Sequence, residues 1–196
     1  MRATLTCQHS KFVQENARFN TMMLLAYILT AQASDCPSQK IRQVGKVAAG
    51  SINEVSGIAV GRDGRLWVHN DSGDEANLYA LSEDGGLLFK TRLLGASAYD
   101  WEDMGIHRAL HGSVLYVGDI GDNLSLRRQV TIYMVREPAK AEQETPIEGS
   151  FTADYGELGA QDAESLAVDP LSGALYVLTK GRSGQLHLME KKSPHK

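Results

Sequence analysis

The sequence predicts an all-β fold made of repeated antiparallel sheets. Nineteen glycines separate short apolar segments, a composition typical of turn-rich β proteins. A strand-like segment that ends in a polar turn recurs at residues 66–74, 115–123 and 175–181. Upstream of each copy lies the pattern Glu-x-x-Gly/Ala-Ile/Val, which begins at Glu54, Glu102 and Glu164. A repeat of four strands about every 40–50 residues is typical of propeller blades. We therefore expect a β-propeller with about three four-stranded blades.

Residues 1–33 are predicted to be a helical leader that precedes the β region. An apolar run at residues 22–33 is shorter than the ~20 residues that a membrane-spanning helix needs. The run ends in Ala31-Gln32-Ala33, the small-x-small pattern of a signal-peptide cleavage site. We therefore expect a secreted or periplasmic protein whose mature domain is residues 34–196. A buried or amphipathic helix is the alternative interpretation of the run.

The first repeat contains four predicted strands. They are closed by polar or glycine turns at residues 62–64 and 83–86, which are strong hairpin signals. A short alternating stretch at residues 41–47 is expected to be a lone strand before this repeat. The four strands are expected at residues 55–60, 66–69, 77–81 and 87–94.

The second and third repeats follow the same plan with different loops. In the second, strands are expected at residues 104–107, 114–117, 130–135 and 147–155, with a polar stretch at 136–146. In the third, they are expected at residues 165–168, 174–178 and 185–189.

The number of repeats is lower than the number of blades in a closed propeller ring. Because a closed ring needs ~4–8 blades, we expect an incomplete propeller, the N-terminal part of a ring, with open blade edges that favour self-association. A β-sandwich is the alternative fold.

The topology of a propeller blade places acidic and amide side chains on one face. The start of the first strand lies beside the end of the second strand, at the mouth of the channel. Carboxylates that are crowded there raise one another's pKa unless a cation neutralises them. Oxygen ligands suit Ca²⁺ first, and Mg²⁺ or Mn²⁺ less well, although capping of turns is the alternative role for such residues. The predicted metal ligands are Glu54, Asn70, Asp71, Glu102, Asp119 and Glu164.

Four further residues are candidates for contact with a bound ligand. Asp122 and Asn123 lie in an insertion that could reach the channel mouth. Lys180 stands where the other repeats have Asn or Asp, and it could neutralise part of the acidic ring without a metal ion. Trp101 stands next to Glu102 at the rim of the predicted channel, where it could touch a ligand. The ligand is expected to be a small molecule, a carbohydrate or a protein, and the net charge of −4 gives no general attraction to nucleic acid.

Several motifs resemble those of exported bacterial β-propellers. They are Glu54-Val-Ser-Gly-Ile with Leu66-Trp-Val-His-Asn-Asp-Ser-Gly, and the runs that begin at Asp100, Leu115 and Asp162. The blades look like those of the SMP-30/gluconolactonase group and the esterase-like phytase group, over residues 41–190. The resemblance to the gluconolactonase group implies a divalent metal at the channel, and Glu54 matches that group's first-blade glutamate.

Two functions fit these features. The first is a non-catalytic exported propeller that binds Ca²⁺ for stability and a ligand or partner on its channel face. The second is a metal-dependent hydrolase of an ester, lactone or phosphoester, with Glu54, Glu102 or Asp119 as ligand and a spare carboxylate as base. The first is favoured because an incomplete ring does not enclose a site. The sequence lacks a Gly-x-Ser-x-Gly elbow and a phosphate-binding loop, so it gives no support to serine catalysis or nucleotide use.

Overall fold

The computed structural model describes residues 40–110, 112–181 and 184–189. Across these residues the chain is all-β, and its strands form three sheets. The first sheet has the order β1-β2-β3-β4-β8: β1 (Val55–Val60), β2 (Leu66–Asn70), β3 (Asn77–Leu81), β4 (Leu87–Leu94) and β8 (Glu144–Pro146). The second has the order β5-β6-β7-β9: β5 (Trp101–Ala109), β6 (Gly112–Asp119), β7 (Val130–Arg136) and β9 (Gly149–Ala153). The third has the order β10-β11-β12: β10 (Ala163–Val168), β11 (Leu175–Thr179) and β12 (Leu186–Met189).

The hairpin between β1 and β2 shows how local sequence sets these elements. Gly64 adopts a φ of 89°, in the left-handed region that favours glycine. The backbone N–H of Arg65 donates to Asp63 Oδ1 at 3.2 Å, so the aspartate stabilises the turn through its side chain. The turn predicted from residues 62–64 is confirmed.

The three sheets pack in layers with an apolar core on each side of the second sheet. Between the first and second sheets, Trp67 and Leu78 pack against Trp101 and Leu115, all of them almost fully buried. Between the second and third sheets, Ile132 belongs to the same core as Leu166, Leu175 and Val177. Because successive side chains of a strand point to opposite faces, one face of each outer sheet packs against the second sheet.

The strand predictions are confirmed within a few residues, with two differences. Residues 41–47 form no strand, so that prediction was wrong: the stretch has no strand partner in the described part of the chain, and Ile41 is fully exposed. The polar stretch at 136–146 ends in β8, which joins the first sheet in parallel with β4. The hydroxyl groups of Thr91 and Thr145 form a buried hydrogen bond of 2.8 Å at this junction.

The predicted leader, residues 1–33, lies outside the described residues. Within the described residues, no helix has both the length and the apolar character needed to cross a membrane. A short 3₁₀ turn at Gly156–Leu158 precedes the third sheet.

Candidate metal centre

The first strand of each sheet begins with an irregularity at the same place. The register shifts between Val55 and Ile58 in β1, between Trp101 and Asp103 in β5, and between Ala163 and Ser165 in β10. In β5 and β10 the shift leaves Glu102 and Glu164 without a partner on the neighbouring strand. Such a bulge redirects the side chain of the extra residue, and it is common beside functional sites.

The pairing also shows which residues of the three repeats are equivalent. Val55, Trp101 and Ala163 occupy the same position, because each pairs with the last residue of the following strand. Three backbone hydrogen bonds repeat beside them: Asp71 N–H donates to Glu54 O at 2.8 Å, Gly121 N–H to Asp100 O at 3.1 Å, and Lys180 N–H to Asp162 O at 2.7 Å. Glu54 therefore matches Asp100 and Asp162, and the counterpart of Glu102 and Glu164 is Ser56.

Five carboxylates from the starts of β5 and β10 and the end of β2 meet at one place. Asp71, Asp100 and Glu102 bring one oxygen each within 4.8 Å of one another, and so do Glu102, Asp162 and Glu164. We call these the first and second carboxylate groups. Glu102 belongs to both of them. Two or three carboxylates at this spacing can hold a divalent cation through oxygen ligands.

Gly121 packs against the first carboxylate group. A Cβ atom at this position would overlap Glu102 Oε1 and Asp100 Oδ2. The backbone of the loop after β6 thus approaches the two carboxylates as closely as only glycine permits. Any side chain here would have to displace the carboxylates or the loop.

Glu102 lies in an unfavourable environment for a charged carboxylate. It is only 6% exposed, and within the described residues its carboxylate receives no hydrogen bond or ion pair. Burial raises the pKa of Glu102 to about 8, and the charges of Asp71, Glu164, Asp100 and Asp162 add to the effect. Burial and the charge of Asp71 also raise the pKa of Asp100. A bound cation would remove this repulsion.

Lys180 lies beside the second carboxylate group. Its Nζ atom is 2.7 Å from Glu164 Oε1 and 3.7 Å from Asp162 Oδ2, and it also reaches Asn123 Oδ1 at 3.5 Å. The hydrogen bond to Glu164 raises the pKa of the lysine. Lys180 therefore offsets part of the negative charge of the second carboxylate group.

Three of the predicted metal ligands lie outside both groups. The exposed side chain of Glu54 belongs to neither. The Asn70 amide donates to Ser51 O and to Asp74 Oδ2, which holds the turn after β2. Asp119 is paired with Arg127 at 2.8 Å and accepts the backbone N–H groups of Tyr99 and Asp100. Asn70 and Asp119 thus stabilise the backbone next to Asp71 and Asp100 through hydrogen bonds.

Two of the predicted ligand contacts also have structural roles. Trp101 is 1% exposed, lies in the core, and donates its indole N–H to Ser97 O at 2.9 Å. It stands edge-on to His69, with ring centroids 5.5 Å apart. Asp122 is buried and accepts the N–H groups of Leu126 and Arg127, which closes the loop after β6. Neither side chain is directed at solvent.

Asp100 and Asp162 belong to the carboxylate groups, which was not predicted from the sequence. Each stands two residues before a glutamate of the cluster, in the pattern Asp-x-Glu. This pattern occurs in the second and third repeats but not in the first, where Glu54 stands alone. An alignment based on strand ends rather than on the glutamates would have identified both aspartates.

Comparison of the chain with protein-family models gives no match. Comparison with curated proteins gives no match either.

Proposed function

We propose that this protein is an exported β-propeller that binds a divalent cation, Ca²⁺ in the first place, at the carboxylates around Glu102. The observation that carries the proposal is the meeting of five carboxylates at the junction of three strands, with Glu102 buried among them. Oxygen-only donors suit Ca²⁺ better than the softer transition metals. Mg²⁺ and Mn²⁺ are the next candidates.

The propeller arrangement is supported by the way in which the first strands meet. β1, β5 and β10 are each the edge strand of their sheet. β5 contacts both of the others: the Ser56 hydroxyl of β1 donates to Glu102 O, and Leu166 N–H of β10 donates to Asp103 Oδ2 at 2.9 Å. Strands that line a propeller axis lie side by side in this manner.

Export is supported by the apolar run at residues 22–33 and the Ala31-Gln32-Ala33 pattern. Extracellular modules bind Ca²⁺ with dissociation constants of about 10⁻⁴–10⁻³ M, so an acidic site that opens partly to solvent fits such a compartment. N-terminal sequencing of the secreted product should find Ser34 first, and an intact Met1 or Met22 would contradict export by this signal.

The cation is expected to leave room for a ligand or partner on the same face. Asp71 and Glu164 are partly exposed, so the cluster opens to solvent beside the exposed side chain of Asn123. A cation held by protein oxygens on one side can complete its coordination with oxygens of a carbohydrate, a small carboxylate or a protein. The function proposed is therefore the cation-dependent binding of such a ligand.

Titration of the protein with Ca²⁺ by isothermal calorimetry tests the proposal. Glu102→Gln should weaken binding roughly tenfold or more, because affinity follows the number of charged ligands. Asp84→Asn is the matched control, since Asp84 is an exposed carboxylate in the turn between β3 and β4. No heat of binding at millimolar Ca²⁺, or equal effects of the two substitutions, would contradict the proposal.

A further inference from the structure

We propose that the cluster holds one Ca²⁺ at the first carboxylate group, and that Lys180 acts as a tethered cation that excludes a second ion from the second group. This inference rests on the proposed function. The two groups share Glu102 and contain three carboxylates each, so on acidity alone both would attract a cation. What distinguishes them is their surroundings.

In the described part of the chain, no lysine or arginine forms an ion pair with the first group, Asp71, Asp100 and Glu102, and the nearby Arg127 is paired with Asp119 instead. Glu102 is more than nine-tenths buried, no described residue donates a hydrogen bond to its carboxylate, and one of its oxygens belongs to the group. Asp100 is also buried, and among the described residues the Asp71 carboxylate accepts the N–H of Ser72 alone, at 2.6 Å. Burying carboxylates without a counter-charge is costly, so this group has the stronger need for a cation.

The second group, Glu102, Asp162 and Glu164, already has partners. Lys180 Nζ lies 2.7 Å from Glu164 Oε1 and 3.7 Å from Asp162 Oδ2. Asp162 Oδ1 also accepts the backbone N–H of Asp122 at 2.8 Å. A lysine ammonium is a compact point charge, and here it already lies beside two of the three carboxylates of the group.

The repeat explains why the two groups differ. Asp71 and Lys180 occupy equivalent positions, because each donates its backbone N–H to the residue two before the bulge, Glu54 O or Asp162 O. In the first repeat this position supplies a carboxylate to the neighbouring Asp-x-Glu pair. In the third repeat the same position supplies an ammonium group. One exchange of residue type therefore limits the cluster to one cation.

The experiment counts bound Ca²⁺ by equilibrium dialysis with a calcium-specific readout, on the full chain. Wild type should bind one ion, and Lys180→Gln should bind two, with Glu102 shared between them. Lys180 is largely exposed, so the variant should fold as the wild type does. Lys140→Gln removes the same charge from an exposed position far along the chain, and it should bind one ion. The double variant Lys180→Gln/Glu164→Gln should return to one.

The outcomes separate this inference from the proposed function. One ion bound by both wild type and Lys180→Gln would overturn the role of Lys180 and leave the proposed function intact. Two ions in wild type would overturn the inference in the same way. No ion bound by wild type would contradict the proposed function, and the inference with it.

Discussion

Glu102 is the central residue of the proposed metal site. It is the extra residue of a β-bulge, it is shared by both carboxylate groups, and it is 6% exposed. A folded protein keeps a buried carboxylate ionised only when something compensates the charge. Without a cation, the alternative is protonation of the carboxyl group.

The pKa of Glu102 predicts that the Ca²⁺-free protein loses stability as pH rises. Its folded-state pKa is about 8, against an ordinary value of 4.5. The folded state therefore favours the protonated form, so the stabilising contribution is complete below 4.5 and is lost as pH rises to about 8. We expect urea denaturation in the presence of EDTA to show a smaller fall in the free energy of unfolding for Glu102→Gln than for wild type over this range.

Two comparisons make that experiment decisive. Asp84→Asn alters a carboxylate whose pKa is lowered by its hydrogen bond from Ser82, so it should leave the fall between pH 4.5 and about 8 unchanged. Saturating Ca²⁺ should restore much of the stability that wild type loses near pH 8, because the ion binds the ionised form. The same pH dependence in wild type and Glu102→Gln would show that this carboxyl group is not perturbed.

At the scale of elements, the sequence predicts the strands better than it predicts their register. Alternation of apolar residues and glycine turns identified β1, β3 and β4 with their ends in place. The glutamate pattern nevertheless matched Glu54 with Glu102, although the pairing matches Glu54 with Asp100. Hydrophobic periodicity carries no signal for a bulge, and a bulge decides in which direction the side chains of an acidic pair point.

The missed strand β8 has a different cause. Its three residues, Glu144–Pro146, have neither the length nor the apolar alternation of a strand. They pair because β4 presents an open edge, where Arg92 and Glu144 form an ion pair and Thr91 bonds to Thr145. Such pairing depends on the tertiary structure, so a single sequence does not reveal it.

At the scale of the whole molecule, the outer sheets carry apolar faces that the second sheet does not cover. On the third sheet, Leu178 pairs with Leu186, and Leu188 lies two residues further along the same strand face. These side chains are 41%, 67% and 50% exposed. On the first sheet, Ile58 and Val60 are 57% and 49% exposed. Contiguous apolar patches of this kind favour association.

We expect the 196-residue chain to self-associate through the outer face of the third sheet. Leu186→Ser/Leu188→Ser should weaken the association constant roughly tenfold or more, because full burial of each leucine is worth about 1.5–3 kcal/mol. Leu124→Ser is the control, since Leu124 is an exposed leucine in the loop after β6. Sedimentation velocity over a concentration series measures the change. A monomer at every concentration, or equal effects of the two variants, would contradict this expectation.

In the proposed metal site, a cation bridges the start of β5 and the end of β2. The most direct measurement is anomalous diffraction from crystals grown with Ca²⁺, collected at a long wavelength where calcium scatters anomalously. We predict one peak, within coordination distance of carboxylate oxygens of Asp71, Asp100 and Glu102, at about 2.3–2.6 Å. A map without a peak at these three residues, or with its peak at Glu54, Asn70 or Asp119, would contradict the account.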